Sequence, residues 1–324
     1  MSFASPGKKR PLRVGLALPL WSGSMAGKTP TWQDTLAFAR YAEEIGFDSL
    51  WVGDNLTLRM ETGKLVDFWE CWSILSALAA STARITLGSF VTYAGYRHPL
   101  LLAKIASTIE EISGGRLVLG VGAGFTSPET RAAGFPTTRR YERLEETLSI
   151  LQQFFQHGSV HAAGQFYQVE AYEALMRGPR PDGPPLMLGS LSRPGPRLLK
   201  LAAHYARQWN GWIGYDPRGL AMLPELQRTI DEACLRARRS PHTLERSLGL
   251  GVILEGVTPA DPDFAQFCPH ALRGTPEAIA EALLTIASYG FAEVQISLNV
   301  CTLTGLDTFA LVLDYLDREL SLQA

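Results

Sequence analysis

Leu101–Ala123 reads LLAKIASTIEEISGGRLVLGVGA, and two different periods meet inside it. In the first half Leu101, Ile105, Ile109 and Ile112 recur at helical spacing, the mark of an amphipathic helix. The second half, Arg116–Ala123, is apolar from Leu117 onward, as expected of a buried strand. Such a strand needs helices over it, so a helix feeding it argues for parallel α/β architecture.

The alternation repeats along the whole chain. Strand candidates are Arg13–Leu20, Asp48–Gly53, Arg84–Val91, Arg116–Ala123, Pro185–Gly189, Gln208–Ile213, Ser247–Leu254 and Glu293–Leu298. Between them Tyr141, Leu144, Leu148, Leu151 and Phe155 form a second helical stripe, and Phe309, Val312, Leu313, Leu316 and Leu320 a third. All three stripes are expected to pack on the strands. Thr31 and Thr275-Pro276 read as helix starts, and Gly46, Gly158 and Gly290 as helix ends. Eight strand–helix pairs predict a single (β/α)8 TIM barrel of the α/β class with loop insertions, spanning residues 13–324 behind a flexible leader of residues 1–12. Two stretches exceed a minimal barrel: Ser159–Gln168, a β-excursion turning at Ala163-Gly164, and the long loop Glu255–Gly274.

Composition narrows the function. The 324 residues are 46% hydrophobic and carry a formal charge of −2, without the basic stripe that nucleic acid requires. Lys8, Lys9 and Arg10 precede no signal-peptide core, and no run reaches the ~18 apolar residues of a membrane span. A cytoplasmic protein is expected. Cys71, Cys234, Cys268 and Cys301 form no CxxC pair, so no metal is expected, and Cys71 between Trp69 and Trp72 reads as a small buried hydrophobe.

On such a barrel the chemistry belongs at the C-terminal ends of the strands. Leu186–Lys200 (LMLGSLSRPGPRLLK) runs from a strand through Gly189-Ser190 and Ser192-Arg193-Pro194-Gly195 into a helix start, where free N–H groups and the positive dipole end suit a phosphate. An ordinary barrel loop punctuated by Gly and Pro accounts for it equally. Leu119–Phe125 (LGVGAGF) lacks the third glycine of a dinucleotide fingerprint and reads as a strand end kept bare for a flat ring. Aromatic residues gather near the proposed mouth: Trp21, Trp51, Tyr93, Tyr96, Phe125, Trp209 and Trp212. Of these, Trp51 reads as packing. His98, ahead of Pro99, is the titratable group best placed for neutral pH, and capping is its preferred reading. No Ser-His-Asp order, paired carboxylates or HExxH sequence supports a hydrolase or metalloenzyme.

Tyr96–Phe125 (YRHPLLLAKIASTIEEISGGRLVLGVGAGF) resembles the central signature of the luciferase-like monooxygenase family. The likeness continues in Ala42–Asp54 (AEEIGFDSLWVGD), Arg131–Leu151, Arg177–Gly189 and Tyr205–Trp212 (YARQWNGW). It implies a barrel holding FMN or the deazaflavin coenzyme F420 at its mouth, with phosphate at Gly189, Ser190, Ser192, Arg193 and Gly195 and the ring against Thr92, Tyr93, Gly122 and Ala123. It also implies a bulge with a non-proline cis peptide, expected within Thr92–Gly95. Trp21, Asn55, Phe125 and Trp212 are the candidate substrate pocket. Three departures stand out: Asp54-Asn55 where relatives commonly show Asp-His, Phe125 where Trp is frequent, and a longer Ser190–Pro196 loop. The histidine's acid–base role therefore does not transfer, which leaves Asn55 and His98 as catalytic candidates.

The activity implied is monooxygenation of a small apolar substrate with reduced FMN and oxygen, the flavin coming from a separate reductase. A deazaflavin-dependent dehydrogenase or reductase is the alternative, and a non-catalytic flavin-binding accessory protein a third reading. The resemblance also implies a homodimer as a candidate assembly.

Overall fold

Every strand run named above is a strand of one closed sheet. The computed structural model describes residues 10, 12–60, 62–190, 194–212, 217–258, 264, 268 and 270–321. The barrel strands are β1 (Arg13–Ala17), β2 (Ser49–Val52), β3 (Thr86–Ser89), β4 (Leu117–Gly122), β5 (Leu186–Ser190), β6 (Gln208–Trp212), β7 (Glu245–Leu254) and β8 (Glu293–Leu298). Each pairs in parallel with its neighbours, and β8 returns to β1 through Arg13↔Glu293 to Leu16↔Ile296. The outer helices are α1 (Trp32–Ile45), α2 (Cys71–Ser81), α3 (Pro99–Ile112), α4 (Arg140–His157), α5 (Pro196–Tyr205), α6 (Pro217–Arg236), α7 (Pro276–Ser288) and α8 (Leu303–Ser321). A continuous apolar layer fills the space between helices and strands, so every strand faces protein on its outer side.

The barrel interior is arranged around one large side chain. Trp51 on β2 is fully buried beside Val118 and Met187, which bears out its reading as packing. Two facing glycines make room for it: a Cβ on Gly15 would lie 2.5 Å from Trp51 Nε1, and one on Gly88 only 2.2 Å from its Cζ3. The opposite half of the interior is polar. Trp51 Nε1 donates to Ser49 Oγ at 2.7 Å, Ser49 Oγ to Glu293 Oε1 at 2.6 Å, and Gln208 Nε2 to Glu293 Oε2 at 2.9 Å. Buried polar groups are costly when unpaired, and this chain of bonds lets β2, β6 and β8 carry them.

Start and stop signals lie where local chemistry asks for them. Thr31 and Asp34 form a capping box on α1, Thr275 accepts from Ala278 N at the start of α7, and Gly46 and Gly158 end α1 and α4 with φ of 99° and 69°. The expected β-excursion is a hairpin longer than Ser159–Gln168: Ser159–Ala163 pairs with Gln168–Glu173, its turn tied by N–H donation from Gln165, Phe166 and Tyr167 to Glu146. A second hairpin, Thr57–Arg59 with Leu65–Asp67, follows β2. The middle of the Glu255–Gly274 loop lies largely outside the described residues; at its end Leu272–Gly274 pairs with β7, and Cys268 is buried.

Two expectations are corrected. The stripe Leu101, Ile105, Ile109 and Ile112 is not the buried face of α3: Leu101 and Ile112 are exposed, while Leu102, Ala103, Ala106, Ile109 and Glu110 are buried. The helix turns its smaller residues inward to lie close on the strands, and Glu110 is paired there by Arg180, with Nη2 2.6 Å from Oε2. The leader lies mostly outside the described residues, but its members Arg10 and Leu12 are buried. Arg10 ties to α8 through Asp317 at 2.6 Å and to Gly46 O at 2.7 Å, so the packed chain reaches back to Arg10.

Candidate active site

Between β3 and β4 the pairing breaks and resumes. Leu87 and Gly88 face Leu117 and Val118, and the register picks up again at Thr92↔Val121 and Tyr93↔Gly122. The intervening Phe90 and Val91 are joined by a cis peptide bond, which places that bond before the Thr92–Gly95 segment where it was expected. Val91 lies over Gly122 and Gly189 at the end of the barrel. A Cβ on Gly122 would lie 2.8 Å from Val91 Cγ2, and one on Gly189 2.7 Å from Val91 Cγ1.

These distances correct the reading of Leu119–Phe125 as a strand end bare for a ring. Gly120 faces Ser89 O at 2.0 Å from its would-be Cβ, and Gly124, with φ of 68°, faces the Tyr93 ring at 2.2 Å. The glycines are needed by the protein itself.

Above Val91, at the C-terminal ends of the strands, opens a cleft of about 320 Å³. Its floor and walls include Phe90, Val91, Gly122, Ala123 and Trp212, and its rim includes Gly189, Ser190 and Gly195. Gly195 is the N-cap of α5, with Pro196 at the first helical position, φ of −72° and ψ of 160°. A Cβ there would meet no atom of the described residues within 4 Å. This is open space at a helix N-terminus, where unpaired N–H groups and the dipole favour an anion.

The structure gathers Tyr93, Gly122, Ala123, Gly189, Ser190 and Gly195 around this one cleft, together with Asn55, Phe125 and Trp212. Ser192 and Arg193 lie outside the described residues. Three others are elsewhere. Thr92 is buried behind the cleft, its hydroxyl donating to Asp54 and accepting from Trp72 Nε1 at 3.0 Å. Trp21 is drawn away by its bridge to Phe68 and packs on that ring at 6.3 Å. His98 caps α3, its Nδ1 accepting from Leu100 N at 3.3 Å. Of the other aromatics, Trp209 is buried in the outer layer.

Several residues were not singled out from sequence. Asp54, at the end of β2, is held by Arg97 through two bonds, Nη1 to Oδ2 at 2.6 Å and Nη2 to Oδ1 at 3.1 Å. Arg97 also reaches Glu70 Oε1 at 2.6 Å, and Glu70 caps α2 by accepting from Ser73 N at 2.6 Å. Burial works against the Arg97 charge, but bonding to Asp54 and Glu70 outweighs it and raises its pKa. Asn210 on β6 lines the cleft with both Nδ2 hydrogens spent, on Ser247 Oγ at 3.0 Å and Gln295 Oε1 at 2.7 Å. Arg140 and Tyr141 complete the walls together with Tyr96, which the sequence did place near the mouth. Burial, then the negative charge of Asp54, push the Tyr96 phenol up to about 12, so it stays a donor at neutral pH.

Proton acceptors are scarce in this cleft. Among the described residues that line it there is no histidine, lysine or glutamate, and Asp54 has a side chain only 1% exposed behind Arg97. Burial raises the Cys71 thiol well above its ordinary value, keeping it a packing residue. Among the described residues no cluster of three or more His, Cys, Asp or Glu would hold a metal, and no helix is long and apolar enough to cross a membrane.

A parallel barrel with an anion-suited helix start beside an apolar cleft defines a broad class of cofactor-binding barrels. Within it, the model of the luciferase-like monooxygenase family matches residues 12–298, and the chain belongs to that family. It is 32% identical over 239 residues to an F420-dependent glucose-6-phosphate dehydrogenase of Beutenbergia cavernae, covering 72% of this chain and 66% of the relative. It is 25% identical over 241 residues to 4-hydroxyprotoasukamycin monooxygenase of Streptomyces nodosus subsp. asukaensis, covering 69% and 62%. The chain spans about half to two thirds of the length of the curated relatives it matches. A solved F420-dependent secondary alcohol dehydrogenase with an F420–acetone adduct shares the fold at a TM-score of 0.77 and 17% identity, covering 94% of this chain and 99% of that one.

Proposed function

We propose that the chain is a monooxygenase of the luciferase-like type, taking reduced FMN and oxygen to a small, largely apolar substrate. The observation that carries this reading is a cleft with an apolar floor, an anion-suited rim and no available proton acceptor among its described lining residues. Oxidising an alcohol by hydride removal needs a base for the hydroxyl proton. Asn55 cannot serve as one, and Asp54 is buried against Arg97. Oxygenation, or reduction of a substrate by a reduced cofactor, makes no such demand.

The residues present fit a ring with a phosphate tail. Open space at Gly195 and the N–H groups of the first turn of α5 would hold the phosphate; Val91, Ala123 and Tyr93 would bound the ring. When bound, the flavin supplies electrons to oxygen, which is the hard chemistry. Protein side chains keep water out with Phe90, Phe125 and Trp212, and Tyr96 presents a protonated hydroxyl to whatever oxygen atom gathers charge.

The second reading, a deazaflavin-dependent reductase, is favoured by the 32% identity to the Beutenbergia cavernae enzyme. Titration with FMN and with F420 separates the two. The monooxygenase reading expects tight binding of reduced FMN and incorporation of an oxygen atom from O₂ into a product across an apolar substrate panel. Uptake of F420 alone, with no oxygen incorporated, replaces it with the reductase, and bound FMN without turnover replaces it with the accessory role.

A further inference from the structure

Asn210 on β6 lines the cleft while being only 2% exposed, and its carboxamide is held in one orientation. One Nδ2 hydrogen goes to Ser247 Oγ at 3.0 Å and the other to Gln295 Oε1 at 2.7 Å. Ser247 gives its own hydrogen to Trp209 O at 3.4 Å, so toward Asn210 it acts as the acceptor. Turning the Asn210 and Gln295 amides over would ask that single hydroxyl hydrogen to serve both Trp209 and Asn210. The orientation is kept although it leaves Nε2 of the fully buried Gln295 without a partner among the described residues. Asn210 therefore has one group left over, the lone pairs of Oδ1, and no donor among the described residues reaches them. A buried acceptor without a donor is costly, and beside a cleft a ligand can make the deficit good.

The surroundings of Asn210 set the kind of ligand. Trp212, two residues along the same strand, packs on Phe90 with ring centroids 5.9 Å apart, and Phe90 packs on Trp51 at 5.7 Å. Gly249 on β7 gives Trp212 its seat, since a Cβ there would lie 2.3 Å from Trp212 Cε3. This braced aromatic wall and the Asn210 acceptor share the cleft. An amide oxygen takes a hydrogen bond without taking the proton, and it carries no charge to draw a cation. A neutral acceptor fixed beside aromatic surface matches a flat apolar body with an O–H or N–H at one edge. The residues that would bound a cofactor ring, Val91, Tyr93 and Ala123, lie at the ends of β3 and β4, which leaves the β6 wall to a second ligand.

We propose that Asn210 reads the substrate: its Oδ1 takes the O–H or N–H of an uncharged aromatic substrate, such as a phenol, whose ring lies on Trp212. Gln295 is the positioning residue that keeps the amide oxygen turned to the ligand. The inference rests on the reading above only in taking this second ligand for the substrate of a flavin-bearing cleft.

The test titrates FMN-loaded protein by calorimetry with p-cresol and with 4-methylanisole, the same ring with its O–H capped by methyl. Wild type, Asn210→Leu and Gln295→Met are compared. An uncharged hydrogen bond to a buried acceptor gives the wild type a preference for p-cresol of roughly threefold to tenfold. Asn210→Leu removes the acceptor and abolishes that preference. Gln295→Met keeps Asn210 but frees its amide to turn, so the preference shrinks while binding of 4-methylacetophenone, which can only accept, strengthens. Equal weakening of all three ligands would mark Gln295 as packing alone and overturn the proposal. Should Asn210→Leu fail to fold, the wild type and Gln295→Met decide between them. A wild type that does not prefer p-cresol, or a preference that survives the substitutions unchanged, also overturns it. Riboflavin and its N3-methyl analogue are titrated alongside: if Asn210→Leu weakens riboflavin and not the analogue, Oδ1 belongs to the cofactor ring and the proposal falls. If no flavin binds, the flavin reading fails by itself, and the same p-cresol and 4-methylanisole titrations on the purified protein still decide Asn210.

Discussion

Replacing Gly195 by valine separates a space kept for a ligand from a space kept for packing. The backbone there has φ of −72° and ψ of 160°, which any residue adopts, and a new Cβ meets nothing among the described residues within 4 Å. The fold therefore loses only the preference for glycine over an apolar residue at an N-cap, about 0.5–1 kcal/mol, or a few degrees of melting temperature for a chain of this size. The added isopropyl group would stand in front of the first N–H groups of α5. Hydrogen bonds to a charged group contribute about 1.5–3 kcal/mol each, so losing one weakens a phosphate-bearing cofactor by roughly tenfold to a hundredfold. Gly189→Ala in the same rim behaves oppositely, because its Cβ would lie 2.7 Å from Val91 Cγ1. It should cost about 1–3 kcal/mol as overpacking. Thermal melts and fluorescence titration with FMN and F420 read both outcomes. Unaltered affinity for both cofactors in a folded Gly195→Val protein would refute the placement of phosphate.

Arg97→Met should cost about 3–5 kcal/mol, because it strands the Asp54 carboxylate, whose side chain is 1% exposed; Asp54→Asn in the same chain should recover much of it, and a single-variant cost below about 1 kcal/mol in denaturant melts would contradict the buried-pair argument. Gly88→Ala puts a Cβ 2.2 Å from Trp51 Cζ3 and should destabilise the wild type but not a Trp51→Leu background; additive effects in that double-mutant cycle, within about 0.5 kcal/mol, would show that the two positions do not share space. Glu70 has its folded pKa lowered: burial pushes it up, but N–H donation from Ser73 and the bond from Arg97 outweigh burial. Its stabilising contribution is thus present above the ordinary carboxylate pKa of about 4.3 and is lost as pH falls through the lower folded value; Glu70→Gln should flatten that acid-side fall in melting temperature, and parallel curves would exclude the assignment.

All eight strands were legible as short runs rich in apolar and β-branched residues alternating with stretches of helical period, even though Gln208, Asn210, Glu293 and Gln295 bury polar groups within them. Helix α3 was legible as a helix but not in its orientation. Leu101 and Ile112 are larger than Ala103 and Ala106, so hydrophobicity alone favoured the wrong face; closeness to the strands decided it. The rim from Gly189 to Gly195 was legible from glycine and proline ahead of a helix. Its partners were not. Asp54 and Arg97 are 43 residues apart, and only the parallel pairing of β2 with β3 brings the end of one strand to the turn after the other. Trp21 and Thr92 were misplaced for the converse reason, since being near a strand end does not say whether a side chain points into the cleft or behind it.

The glycines of β4 and β5 carry the largest lesson about the cleft. Read along the sequence, Gly120, Gly122, Gly124 and Gly189 suggest a surface cleared for a ligand, yet each clearance is taken by Ser89, Val91 or Tyr93. What the glycines permit is the crossing of β3 over the barrel end, with Val91 set down as an apolar floor and Tyr93 as a wall. A ligand in the cleft would then meet a rigid hydrocarbon surface in place of a row of exposed main-chain amides. The charges that might have served as acid or base are kept behind it, Asp54 against Arg97 and Glu293 among Ser49 and Gln208. Such a floor offers shape and dryness and very little proton transfer, which suits a reaction whose difficult step belongs to a redox cofactor. On this argument substrate selection falls to the walls, where Tyr96, Arg140 and Asn55 differ from the floor in polarity, and variants there should change which molecule is bound before they change whether the barrel folds.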